Sequence, residues 1–311
     1  MKVRNCPVCD MKNAKVIMRF TPELICAMNA TYDVDRFKDV VRGKEDLLTY
    51  SQCQECGMIY CENVWNNETL RRVYEDVIIQ EKSRRKTMAV RKRLGQVQNW
   101  KNVLTLLLLM GKKELRNIKI IDYGCGWGDL LGVIYCEGVE VLGYDKYVAK
   151  TAIPLGKKEL YARSIEELKS FGPVDVLFMT SVLEHLQDTG KALRMAKSLL
   201  KRNGIIVIRV MDYRSVYIKK NIYRLRNNLP ALSKNLNPIE HVNLYDYDSV
   251  CATLKKHDFK LLSTGTILRL SDFAVIPKGL WLIRYLNKVE KLSSRLIKGK
   301  ELMITAYGTN M

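Results

Sequence analysis

Residues 120–131 read IIDYGCGWGDLL. The apolar run into Asp122 describes a buried strand, and glycines at alternate positions 124, 126 and 128 describe the turn that ends it. The residues that follow open a helix near Asp129. Without Cβ atoms the three glycines let another molecule come close to the backbone, and the start of the helix offers amides that no helical carbonyl accepts. A polar or anionic ligand is therefore expected at this turn.

Residues 139–145 (VEVLGYD) form a second strand that ends on a carboxylate about 20 residues after the turn, where Asp145 can bond both hydroxyls of a ribose. The same carboxylate could instead cap the next turn. A nicotinamide dinucleotide and S-adenosylmethionine both satisfy this spacing. Residues 174–186 (VDVLFMTSVLEHL) then supply a strand and its following turn, and residues 199–208 (LLKRNGIIVI) lead from a helix through Arg202, Asn203 and Gly204 into another strand.

In this order the segments resemble the class I S-adenosylmethionine-dependent methyltransferases. The resemblance implies the α/β fold class, with a Rossmann-like seven-stranded sheet in a domain spanning 115–311. It also implies that Gly124, Cys125, Gly126 and Gly128 border the methionine part of the cofactor and that Asp145 holds the ribose. Ser164 and Ile165 are expected near the adenine, and Asp122, Lys146, Thr180 and Ser181 complete the cofactor-binding set. Residues 259–268 and 301–307 read as the last two strands, an antiparallel hairpin.

Ahead of this domain, Cys6 and Cys9 form one C-x-x-C pair, and Cys53 and Cys56 form a second, followed by Gly57. Two such pairs are the ligand set of a tetrahedral zinc site in which four thiolates leave no open position, so the expected metal is structural. Residues 15–20 and 58–60 read as strands of a small ribbon, and residues 1–66 as a zinc-ribbon module. Cys26 and Cys61 are unassigned. Residues 67–114 read as a helical linker or cap, with Leu70, Val73, Tyr74 and Val77 at helical spacing. Basic clusters at 82–86 and 91–93 follow, either a solvated face or a cationic rim.

Methyl transfer needs a nucleophile aligned and, where required, deprotonated. The chain has three histidines. His257 stands at a helix end. The resemblance places His185 at the mouth of the cofactor pocket, as a base or as a structural hydrogen-bonding group. Glu240 and His241 are similar to the Glu-His pair of zinc-containing deoxysugar C-methyltransferases, where it does acid/base work, although such a pair can equally tie down a loop. Those enzymes carry a further C-terminal domain. The length here fits better a broader group of zinc-ribbon methyltransferases from saccharide and surface-polymer pathways, which act on oxygen or carbon.

The formal net charge of +19 favours acidic partners. The reading put first is a sugar-like, phosphorylated small-molecule substrate. RNA methylation comes second, without an aromatic RNA-binding signature to support it. A non-catalytic scaffold comes third. Residues 213–237 and 278–298 read as substrate-capping or accessory helices, the latter basic and amphipathic enough for peripheral membrane contact. The longest apolar run, 103–110, falls short of the roughly 20 residues that cross a bilayer. The cysteines at 6 and 9 interrupt any signal-peptide pattern, and a cytoplasmic, reducing location is expected.

Overall fold

The computed structural model describes residues 2–29, 31–42, 48–78, 100, 117–135, 138–147, 160–214, 220–224, 227, 236–262 and, for the backbone, 301–308. The basic clusters at 82–86 and 91–93, the apolar run 103–110, most of 213–237 and all of 278–298 lie outside the described residues.

The N-terminal region begins with β1 (Lys2–Val3) and β2 (Ala14–Phe20), followed by α1 (Pro22–Met28) and α2 (Val34–Val41). Then come β3 (Leu48–Cys53), β4 (Ile59–Cys61), β5 (Asn63–Val64) and α3 (Asn67–Arg72). Thr21, Asp33 and Asn66 cap the three helices by accepting from Leu24, Arg36 and Thr69 amides, which satisfies donors a helix start leaves unpaired. Past α3 the helix widens into a π-turn, Val73–Val77, which buries Val73 and Val77.

The larger unit contains β6 (Lys119–Tyr123), α4 (Asp129–Tyr135), β7 (Glu140–Tyr144), α5 (Ile165–Ser170), β8 (Val174–Thr180), α6 (Thr189–Leu199) and β9 (Leu200–Met211). It continues through β10 (Asn243–Leu244), α7 (Tyr247–Lys256), β11 (Phe259–Leu261) and β12 (Glu301–Gly308). Its sheet runs β11-β12-β9-β8-β6-β7, with β7, β6, β8 and β9 parallel. β12 is inserted antiparallel between β9 and β11, so the two strands expected as a hairpin pair over residues 259–261, and residues 263–268 lie outside the described residues. The described residues thus give a Rossmann-like sheet of six strands. At the position of the seventh there is a single parallel bridge, Gly143 to Tyr161, beside an Ala162 amide donating to the Gly143 carbonyl.

The central strand β8 is buried along nearly its whole length, as expected of a parallel strand covered on both faces. Its one charged residue, Asp175, accepts from the Lys119 amide at 3.0 Å and Lys201 Nζ at 2.7 Å. The turn expected at residues 202–204 is an irregularity within β9, where Asn203 adopts φ +62°.

β10 pairs antiparallel with β4, so the N-terminal sheet runs β10-β4-β3-β2 and is completed by a strand from the larger unit. One apolar core holds Cys6, Cys53, Met58 and Tyr60 together with Leu177, Leu193, Ile206 and Leu254. Backbone pairing and side-chain packing both cross from one region to the other, so the chain is expected to unfold in one step. Met58 is 1% exposed in that shared core, and Met58→Ala should cost roughly 2–5 kcal/mol. Scanning calorimetry should show one transition that moves to lower temperature. Two resolved transitions, only one of them moving, would contradict a shared core.

Candidate active site

The carboxyl ends of β6, β7, β8 and β9 face the same rim of the sheet, the edge at which open α/β folds collect ligands. At the end of β6 the three turn glycines take φ +78°, +51° and +77°. A Cβ at Gly124 would lie 2.4 Å from Val182 Cγ2, and one at Gly128 would lie 2.0 Å from Tyr161 Oη. These two glycines let the chain pack against itself. A Cβ at Gly126 would meet nothing within 4 Å, so Gly126 borders open space.

The turn's amides are largely committed. Gly124 and Cys125 N–H both donate to the Tyr144 carbonyl, Gly128 N–H to the Cys125 carbonyl, and Gly126 N–H to Asp145 Oδ2 at 3.0 Å. A phosphate-binding turn instead aims its amides at the ligand. This turn therefore suits a ligand without phosphate. The Asp145 carboxylate also accepts from the Tyr147 amide at 2.9 Å, and a carboxylate offers several lone pairs of the kind a ribose hydroxyl donates to.

Asp122 is buried at the end of β6, and burial together with the nearby Asp145 charge raises its pKa to about 7. Lys146 is exposed, and its ammonium stands 5.1 Å from the Tyr147 ring centroid. Ser164 caps α5 by accepting from the Glu167 amide, with Ile165 half-buried beside it. Thr180 ends β8, and Ser181 follows at φ +55° with its amide donating to the Arg209 carbonyl.

His185 ends a 3₁₀ turn, Leu183–His185, and His241 directly precedes the Val242 that leads into β10. Their rings meet edge to face with centroids 4.7 Å apart. Glu240 Oε1 accepts from Asn29 Nδ2 at 2.7 Å, Tyr32 Oη at 2.9 Å and Asn237 Nδ2 at 3.0 Å, while Tyr50 Oη donates to the His241 carbonyl at 2.6 Å. Four donors, three of them from the N-terminal region, thus hold the Glu240–His241 segment. His257 stands apart as the C-cap of α7.

Two residues of this site were not singled out as functional from the sequence. Tyr74, on the π-turn, stacks on Tyr147 with centroids 4.3 Å apart and planes 4° apart. Burial and the charges of Glu240, Tyr147, Asp145 and Glu184 hold its hydroxyl well above the usual tyrosine range. Its helical spacing gave a packing signal only. Glu184 is 4% exposed, and its Oε2 has no hydrogen-bond partner among the described residues. Burial raises its pKa to about 8 despite the Arg209 charge.

The four paired cysteines converge. Their sulfurs lie within 4.8 Å of one another, with Cys6 to Cys56 at 3.5 Å and Cys9 to Cys53 at 3.4 Å. A tetrahedron of metal–sulfur bonds near 2.3 Å has edges of about 3.8 Å, so the donor set fits a metal such as zinc. The two knuckles repeat one geometry. Asp10 N–H bonds the Cys6 carbonyl as Gly57 N–H bonds that of Cys53, and both residues have positive φ, +66° and +73°.

Comparison with known proteins agrees with the α/β fold. The family described as "Methyltransferase domain" matches residues 93–264, more than half of the chain. A ubiquinone biosynthesis O-methyltransferase of Pelagibacter ubique (strain HTCC1062) is 34% identical over 108 residues, 32% of this chain and 45% of that protein. One from Bradyrhizobium diazoefficiens is 27% identical over 105 residues, 32% of this chain and 42% of that protein. The chain thus spans less than half the length of these relatives. The crystal structure of magnesium protoporphyrin IX methyltransferase (ChlM) from Synechocystis PCC 6803 with bound SAH superposes with a TM-score of 0.50 at 13% identity, covering 78% of this chain and all of that one. At that identity the likeness shows the fold.

The Glu184 carboxyl keeps its proton to about pH 8 when folded, against an ordinary value of 4.5. Between those values the folded chain holds a proton that the unfolded chain has lost, so stability falls as pH rises through that window. Glu184→Gln removes this dependence. Denaturant titrations should show the variant gaining on the parent between pH 5 and pH 8; a difference that does not change with pH would contradict a carboxyl whose proton is held by burial.

Proposed function

The chain belongs to the methyltransferase-domain family, and on that premise we propose that it methylates a small molecule, with S-adenosylmethionine as donor and a sugar-like acceptor. The observation that carries this reading is the glycine turn beside Asp145, open at Gly126 and with its amides already bonded. Such a turn suits an adenosyl group joined to an amino acid better than one joined to a pyrophosphate. Asp122, Gly124, Cys125, Gly126 and Gly128 would border the methionine part, Asp145 and Lys146 the ribose, Ser164 and Ile165 the adenine side, and Thr180 and Ser181 the remaining rim.

Bound there, S-adenosylmethionine would supply an activated methyl carbon. The protein's own part is alignment and proton removal. His241 would take the proton of the acceptor's oxygen or carbon as that atom bonds to the methyl carbon and the methyl–sulfur bond breaks, and His185, edge to face with it, would limit how that ring can turn. Glu240 acts by holding the loop, because its Oε1 already accepts three hydrogen bonds. Cys6, Cys9, Cys53 and Cys56 hold a structural zinc ion in this reading. It completes no catalytic step.

The saccharide acceptor is favoured by the likeness of Glu240 and His241 to the pair in sugar C-methyltransferases, combined with the four-thiol cluster. A second reading, O-methylation in ubiquinone biosynthesis, draws on the likeness to the two ubiquinone biosynthesis O-methyltransferases. The chain should carry label from deuteromethyl S-adenosylmethionine to a sugar nucleotide or lipid-linked sugar, read by mass spectrometry. Label found only in a ubiquinone precursor favours the second reading, and label found only in RNA refutes both. Asp145→Ala should weaken cofactor binding by roughly 1.5–3 kcal/mol, about ten- to a hundredfold. His241→Asn should lower turnover by about 10²–10⁴-fold with cofactor affinity kept; retained turnover removes His241 as the base.

A further inference from the structure

Arg4 lies between β1 and the first cysteine, far along the chain from both histidines. Its guanidinium nevertheless reaches the backbone on which each is mounted. Nε donates to the Cys61 carbonyl at 2.7 Å, and Nη1 donates to the Gln187 carbonyl at 3.2 Å, just beyond the His185 turn. Nη2 donates to Asn243 Oδ1 at 2.9 Å and to the Val242 carbonyl next to His241. The side chain also stands 5.6 Å from the Tyr60 ring centroid.

Asn243 carries the connection further. Its Nδ2 donates to the carbonyls of Leu183 and Leu186, both at 2.8 Å, so it spans the turn that carries His185. Arg4 and Asn243 together join the segment after His241 to both ends of the His185 turn. All the acceptors of Arg4 named here are neutral, so the fork of fixed donors matters more than ion pairing. A lysine keeps the charge and loses the fork.

We propose that Arg4 is a positioning residue that fixes the mutual placement of the His185 and His241 rings through this network. Its position two residues before Cys6 couples the order of the four-thiol cluster to the geometry of the ring pair. The consequence for turnover rests on His241 as base, whereas the effect on ring placement does not.

With only three histidines in the chain, histidine-selective labelling separates the rings by NMR. The full chain should show a nuclear Overhauser contact between His185 and His241. Arg4→Lys and Arg4→Gln should lose it, with His257 signals, metal content and a cooperative thermal transition retained. If Arg4→Gln does not fold, Arg4→Lys decides alone, because it preserves charge and bulk. In the methyl-transfer assay kcat should fall by about a hundredfold, the scale on which misplacement by an ångström acts, with cofactor affinity within about twofold of the parent. An undiminished inter-ring contact in Arg4→Lys overturns the proposal. Loss of that contact in a chain whose parent transfers no methyl group supports it and counts only against the proposed function.

Discussion

Two residues of β10 lying against β4 hold the site together. The register Asn243 to Tyr60 and Leu244 to Ile59 gives the N-terminal sheet its last strand, and it does so immediately after His241. A ladder this short has little strength alone, since a typical intramolecular hydrogen bond contributes about 0.5–1.5 kcal/mol net. Its surroundings reinforce it. The Cys61 amide donates to the Val242 carbonyl, Tyr50 reaches the His241 carbonyl, and Val242 and Leu244 are buried with Phe37, Tyr50 and Val64 in one core. A buried carbonyl left without a donor costs free energy, so these bonds specify where the segment lies even where they add little to stability.

The electrostatics of the rim follow from the same burial. Asp122 and Glu184 are carboxyls withdrawn from water, and each keeps its proton far above the usual range. Asp145 lies at the rim with its oxygens on two backbone amides. Neighbouring strand ends thus carry carboxyls of different character, one raised to about 7 and one held by backbone amides at the rim. Tyr74 brings the N-terminal region onto this rim by stacking on Tyr147, and π-turns often mark such functional insertions.

The parts of this arrangement that depend on near neighbours were legible in the sequence. The glycine turn, the strand ending at Asp145 and the two C-x-x-C pairs each carry their signal within a few residues. Their physics is local too: positive φ, short apolar runs of buried strand and paired thiols. Among the described residues the expected seventh strand is represented by the bridge at Tyr161 alone. What sequence could not give were the long-range agreements. Asn243 in a two-residue strand has no periodicity to detect, and Arg4 looked like one more cation in a chain of net charge +19. Glu240 next to His241 suggested a working pair. In the fold its carboxylate oxygen Oε1 is bonded to Asn29, Tyr32 and Asn237, two of them more than 200 residues away in sequence.

The central claim is that the open corner at Gly126, beside Asp145, receives the methyl donor. Calorimetric titration of S-adenosylmethionine into the parent chain and into Gly126→Ala tests it most directly. An alanine there meets no protein atom within 4 Å and costs about 1–2 kcal/mol for its left-handed backbone, so the variant should fold. The account predicts that the parent binds and that the folded variant does not. Equal binding by both would place the donor elsewhere and contradict it.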